Sequence, residues 1–188
     1  PRMTRRTRAW CGHPKRMLTP SFKNPPRPAA AAKEFDLLSV FTMKGMYGDV
    51  NADGIPDTVE GRIIIPAAGA IRAVAPLASK VVLKTAGAAF PLVYLDSEIE
   101  FKKSVVSPIL VGDNALTREL RRVGKLVLPP LENASGLIRA VPQAFNKSSA
   151  LVVEAADPLG LEKTLGFLSG PFPYFDVAGD GRPQPAAR

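Results

Sequence analysis

Beyond residue 61 the apolar positions fall into short continuous runs separated by stretches with helical spacing. Arg62–Ile65 (RIII) is β-branched and uninterrupted, and Pro66 ends it, which predicts a short buried strand. From Pro66 to Gly87 the apolar positions Ile71, Val74, Ala75, Ala78, Val81, Val82 and Thr85 recur every three or four residues. That spacing predicts a helix with Gly87 just past its end, and Pro76 inside it is expected to kink it or split it in two. Phe90–Leu95 (FPLVYL) and Ser107–Val111 (SPILV) read as two further strands. Asp113 or Asn114 then caps a helix over Ala115–Val123, closed by Gly124. A short strand is expected at Lys125–Leu128. Gly136–Val141 and Ala150–Ala155 form a hairpin around the turn residues Asn146–Ser149. The last helix is signalled by Asp157 at the N-cap and Pro158 at N1, with Leu161, Leu165 and Leu168 on one face and Gly170-Pro171 as its stop.

Strands alternating with helices, plus one hairpin, predict an α/β fold: a mixed sheet of about five strands carrying two or three helices. Residues 61–175 form that domain. Residues 34–60 read as a connecting segment, with EFDLLSVFTMKGMY as a short helix or irregular stretch packed on the body, and residues 176–188 as a linker or truncated end.

Charge changes the picture at the N-terminus. The 188 residues carry a net charge of +8, but residues 1–33 hold nine Lys/Arg, six prolines and no acid, while the remainder has sixteen basic and seventeen acidic residues. The first 33 residues therefore read as a disordered basic tail, unable to bury enough apolar surface to offset an ordering cost of roughly 1–2 kcal/mol per residue. An arm making weak contacts to an anionic partner, an Arg-rich targeting peptide and a poorly defined start of the reading frame are the competing explanations. The near-neutral body gives no basic face for specific nucleic-acid binding. No apolar stretch reaches 18 residues, so no membrane span is expected.

Composition narrows the chemistry. One Cys excludes an internal disulfide framework, and one His, His13, leaves no Ser-His-Asp or Cys-His site unless it serves itself. Neither a GxGxxG nor a P-loop occurs. Catalysis would have to run on carboxylates, lysines or a metal held by oxygen. Asp113 and Asp157 stand at strand ends, where sites do form, but both read first as helix caps. Glu98, Glu100, Lys102 and Lys103 read as a solvated loop, and Cys11 with His13 lies in the tail.

The most informative segment is Asp49–Glu60 (DVNADGIPDTVE), which matches the calcium-loop pattern D-x-[DN]-x-[DN]-G-x5-E at every required position. A hard cation takes six to eight oxygens at about 2.3–2.6 Å. Asp49, Asn51 and Asp53 supply side-chain oxygens from one tight loop, Gly54 the turn, Ile55 its carbonyl, Asp57 a direct or water-mediated ligand, and Glu60 two closing oxygens. Pro56 stands where a paired EF-hand loop offers a bridging N–H, and Glu60 leads into a strand rather than a helix. An isolated loop of this kind is expected to bind calcium at about 10⁻⁴–10⁻³ M, as in secreted proteins; a metal-free Asx-rich turn is the alternative.

The order RIII, long helix ending TAG, FPLVY, PILVGDN, GLIRAV, turn, ALVVEAADPLGLEKTLGFL over about residues 61–170 resembles the α/β accessory domain that precedes the catalytic barrel in family 20 β-hexosaminidases and family 67 α-glucuronidases. Leu151–Leu168 carries that domain's L-x-I-x-G-x-D-x-x-G-x-x-x-G-x-x-x-L turn, with Ala155 or Ala156 where Gly is usual. The resemblance implies a non-catalytic scaffold of a larger secreted, extracytoplasmic carbohydrate-active hydrolase, partnered by a catalytic domain of a longer chain or another protein, and it transfers no catalytic residue. A small stand-alone carboxylate hydrolase and an interaction protein acting through the basic tail are the alternatives.

Overall fold

The structure, a computed structural model, describes residues 32–67, 70–88, 90–99, 106–145, 147–170 and 172, and the backbone of the strands Phe175–Val177 and Pro183–Pro185. In chain order the elements are β1 (Tyr47–Gly48), β2 (Thr58–Val59), β3 (Arg62–Ile65), α1 (Ile71–Val82), β4 (Val93–Leu95), a single 3₁₀ turn (Asp96–Glu98), β5 (Pro108–Val111), α2 (Ala115–Arg122), β6 (Gly136–Phe145), β7 (Ser148–Ala155), α3 (Pro158–Ser169), β8 (Phe175–Val177) and β9 (Pro183–Pro185). The expected mixed sheet of about five strands carrying two or three helices is met by five strands and three helices. The sheet order is β4-β3-β5-β7-β6; only β6 runs antiparallel, against β7.

The continuous apolar runs follow from burial on both faces. Ile63, Ile65, Ile109, Val111, Leu151 and Val153 point to the side covered by α1 and α3. Ile64, Leu110 and Val152 point to the other, where Leu116 and Leu120 of α2 close over them. β3 and β5 are neighbours from which the chain departs in opposite directions, so their carboxyl ends form a topological switch point.

Several boundaries differ from expectation. α1 is continuous through Pro76, and its buried stripe is Val74, Leu77 and Val81 rather than the full set spaced along the sequence; Ile71 and Ala75 are exposed. The lost hydrogen bond is one among many, and packing of Leu77 and Val81 beyond the proline holds both halves on the same core. β4 begins only at Val93, because Pro91 has no N–H to give a ladder. Lys125–Leu128 is not a strand: the Lys125 and Leu126 N–H groups donate to the Leu120 carbonyl, closing α2 and turning Leu126 into the core. The hairpin is longer than expected, with a bulge between Val141 and Phe145 that places Pro142 harmlessly on an edge strand.

Residues 34–46 form turns and irregular backbone, the second of the two expected forms, and Phe35, Val40, Phe41, Met46 and, in β1, Tyr47 join the same core as α1 and α3. Lys33, the last residue of the expected tail, is tied to the body: its N–H donates to Ser148 Oγ and its carbonyl accepts the Ser149 N–H. Residues 1–31, with Cys11 and His13, lie outside the described residues, as do Glu100, Lys102 and Lys103.

Candidate metal centre

Asp49–Asp57 is the loop of a small hairpin. Tyr47 pairs with Val59 and Gly48 with Thr58. Both Tyr47 and Val59 are buried, so the loop's two ends are anchored in the core while its tip faces solvent. Ala52 and Gly54 adopt left-handed φ values of 59° and 86°, and the second is the turn for which the motif requires glycine.

These two turns wrap the backbone around the Asx side chains. Asp49 accepts from the Asp53 N–H through Oδ1 (3.2 Å) and from the Gly54 N–H through Oδ2 (2.9 Å). Asn51 Oδ1 accepts from the same Asp53 N–H at 3.0 Å, and Asp53 Oδ1 from the Ile55 N–H at 2.8 Å. Asp57 Oδ2 reaches back to the Val50 and Asn51 N–H groups, at 2.8 and 3.3 Å. Five of the expected ligands (Asp49, Asn51, Asp53, Ile55 and Asp57) thus share one short, hydrogen-bonded loop.

Glu60 is engaged elsewhere. With the chain extended over Thr58–Val59, its Oε2 pairs with Lys33 Nζ at 2.6 Å. Lys33 Nζ also donates to the Met43 carbonyl at 2.9 Å and to the Tyr47 carbonyl. The carboxylate lies over Gly48, where an added Cβ would fall 2.5 Å from Glu60 Oε1. Sequence reasoning missed Lys33 because it counted that residue with the tail.

Among the described residues, no three His, Cys, Asp or Glu side chains converge closely enough to hold an ion by themselves. A cation held here would need the Asn51 amide oxygen and the Ile55 carbonyl as well as the aspartates. That donor set is all hard oxygen, which suits calcium rather than a transition metal.

Four other acidic groups, Asp96, Asp113, Glu154 and Asp157, sit at the carboxyl edge of the sheet, each with partners. Asp157 accepts the Gly160 N–H (2.8 Å) and the Ala134 N–H (2.7 Å), and these bonds hold its carboxyl below the usual range. Asp96 Oδ2 accepts the Ala115 N–H at 2.8 Å, at the start of α2, where Asn114 is the cap. Asp113 pairs with Arg121 at 2.8 Å and with Arg118 at 3.2 Å. Glu154, buried at the end of β7, meets Arg121 at 2.6 Å; burial raises its pKa, and the arginine opposes that shift. Charge-neutralising pairs and helix caps therefore account for these four carboxylates.

No protein-family model matches the chain, and no curated protein matches it. Among the described residues no helix is long and apolar enough to cross a membrane.

Proposed function

We propose that this chain is a calcium-stabilised, non-catalytic α/β module that serves as a scaffold for the catalytic domain of a larger extracytoplasmic hydrolase acting on carbohydrates. The observation that supports the calcium part is the Asp49–Asp57 loop, in which the Asp49, Asn51 and Asp53 oxygens order the backbone and Gly54 makes the left-handed turn, although Glu60, the motif's last position, pairs with Lys33. The accessory role is supported by the order of elements from β3 to α3, which matches the resemblance read in the sequence, and by the commitment of Asp96, Asp113, Glu154 and Asp157 to caps and ion pairs.

Calcium here supplies charge neutralisation: it offsets repulsion among Asp49, Asp53 and Asp57. The chain's own residues do the rest. Gly54 sets the turn, the Asx oxygens order the loop backbone, and Lys33 holds Glu60 against the hairpin.

A thermal melt tests the reading. At about 100 times its dissociation constant, calcium stabilises by roughly 2.7 kcal/mol, and the melting temperature rises accordingly. Magnesium at equal concentration has a smaller effect, and Asp53→Ala loses the calcium response. A calcium shift no larger than that of magnesium refutes the metal assignment. The unmutated chain hydrolyses none of a panel of aryl glycosides; turnover that Asp157→Asn eliminates refutes the scaffold role.

A further inference from the structure

Pro56, the eighth loop residue, has no N–H with which to bridge a sister loop, but its carbonyl is occupied. It accepts the Ala86 N–H at 3.1 Å, and the adjacent Asp57 carbonyl accepts the Gly87 N–H at 2.9 Å. Ala86 and Gly87 lie in the exit turn of α1. The approach is close: a Cβ added at Gly87 would stand 3.1 Å from the Asp57 oxygen.

We propose that the α1 exit turn takes the place of a sister loop, so that cation binding at Asp49–Asp57 is transmitted through the Pro56 and Asp57 carbonyls and orders residues 83–87. This rests on the calcium reading above. Asp57 is the joint. Its carboxylate holds the Val50 and Asn51 N–H groups at the start of the loop, while its carbonyl holds Gly87. Apart from its own Asx hydrogen bonds the loop has little apolar packing to stabilise it, since Val50 is 78% and Ile55 61% exposed. Segments with few buried contacts open locally at low free energy, and groups bonded only to them open with them. A cation that closes the loop lowers the ordering cost of whatever its backbone carries. The turn so held bears Leu83 and leads to Phe90, which with Ala78, Ser79 and Val82 line an apolar groove on the surface. Calcium thereby regulates how firmly one wall of that groove is presented.

Amide hydrogen exchange of the full chain, read at Ala86 and Gly87 with and without calcium, tests the coupling, alongside calorimetry of calcium binding. With calcium at about a hundred times its dissociation constant, protection at both amides rises about a hundredfold if they open with the loop. Magnesium at equal concentration protects them less, and Asp53→Ala abolishes the response. Asp53→Asn keeps an acceptor for the Ile55 N–H, so the loop stays folded, and moves the response to higher calcium. Calcium binding that protects the Asp53 and Ile55 amides but leaves Ala86 and Gly87 unmoved overturns the coupling and leaves the metal reading standing. The absence of calorimetric binding overturns both.

Discussion

Two glycines of α3 separate steric fit from helix propensity, and they do so with opposite signs. Gly160 lies in the first turn of α3, beneath the segment that enters β6. A Cβ built there falls 2.2 Å from the Ser135 carbonyl oxygen and 2.9 Å from its carbon, both backbone atoms. Gly166 lies six residues later in the same helix, and a Cβ there meets nothing within 4 Å. Propensity alone favours alanine over glycine by about 0.8–1.0 kcal/mol at either place. At Gly160 the clash must be relieved by about 1 Å of backbone movement. Overpacking of that order costs about 1–3 kcal/mol, and more where the obstacle is backbone. The movement also pulls Ala134, next to Ser135, away from the Asp157 carboxylate that receives its N–H. Gly160→Ala is therefore expected to destabilise by about 2 kcal/mol net, and Gly166→Ala to stabilise by about 0.5–1 kcal/mol. For a body of this size those changes correspond to a fall of about 4–8 °C and a rise of about 1–4 °C in melting temperature. Thermal melts followed by circular dichroism, with urea titrations as a check, read both. Equal stabilisation by the two alanines would refute the close approach of α3 to β6, and with it the reason for the Asp-x-x-Gly spacing.

Ser107 is buried at a left-handed φ of 46° with its hydroxyl unpartnered among the described residues, so Ser107→Gly relieves strain and an orphaned donor together; a gain of about 1 kcal/mol in a urea titration is expected, with Ser107→Ala gaining less, and a loss in the glycine variant refutes the strain argument. Asp157→Ala lowers the melting temperature at pH 7 and Asp157→Asn much less. Because the folded carboxyl titrates below its unfolded value, this contribution is present above about pH 3.9 and disappears as pH falls through the folded value; a gap from the parent that persists at still lower pH refutes the cap assignment. Lys80 donates to the Leu168, Gly170 and Phe172 carbonyls at the end of α3, and burial, helped by Lys84, pulls it down to about 8 from 10.5. The folded chain then binds fewer protons than the unfolded one between those values, so stability from this group rises as pH climbs through that window. Lys80→Met should lack that rise in pH-dependent urea titrations, and an unchanged slope would refute the assignment.

Local chemistry determined most of the elements. Asp157-Pro158 and Asn114-x-x-Thr117 mark helix starts because the capping groups, the donors they satisfy and the proline that needs none all lie within four residues. RIII, PILV and ALVV identify central strands because a strand buried on both faces has no polar side to show. The calcium-type loop was legible for the same reason: Asp49, Asn51, Asp53 and Gly54 interact within five residues, and their turns need nothing from the rest of the molecule.

Tertiary structure alone decided where distant segments meet. Nothing near Pro76 in the sequence tells that Leu77 and Val81 are pinned to the sheet, which is what carries α1 through the proline. Lys125–Leu128 has a strand's composition, but Leu120 lies close enough to take its N–H groups first. Lys33 looks like the last charge of a basic tail, yet the Met43 and Tyr47 carbonyls and the Glu60 carboxylate converge on it and draw that carboxylate to the ammonium. The Pro56 and Asp57 carbonyls find Ala86 and Gly87 about thirty positions away. Each of these outcomes is a competition between a local preference, about 3 kcal/mol for the proline and about 1 kcal/mol or less for the others, and contacts set by packing, and packing is a property of the whole fold.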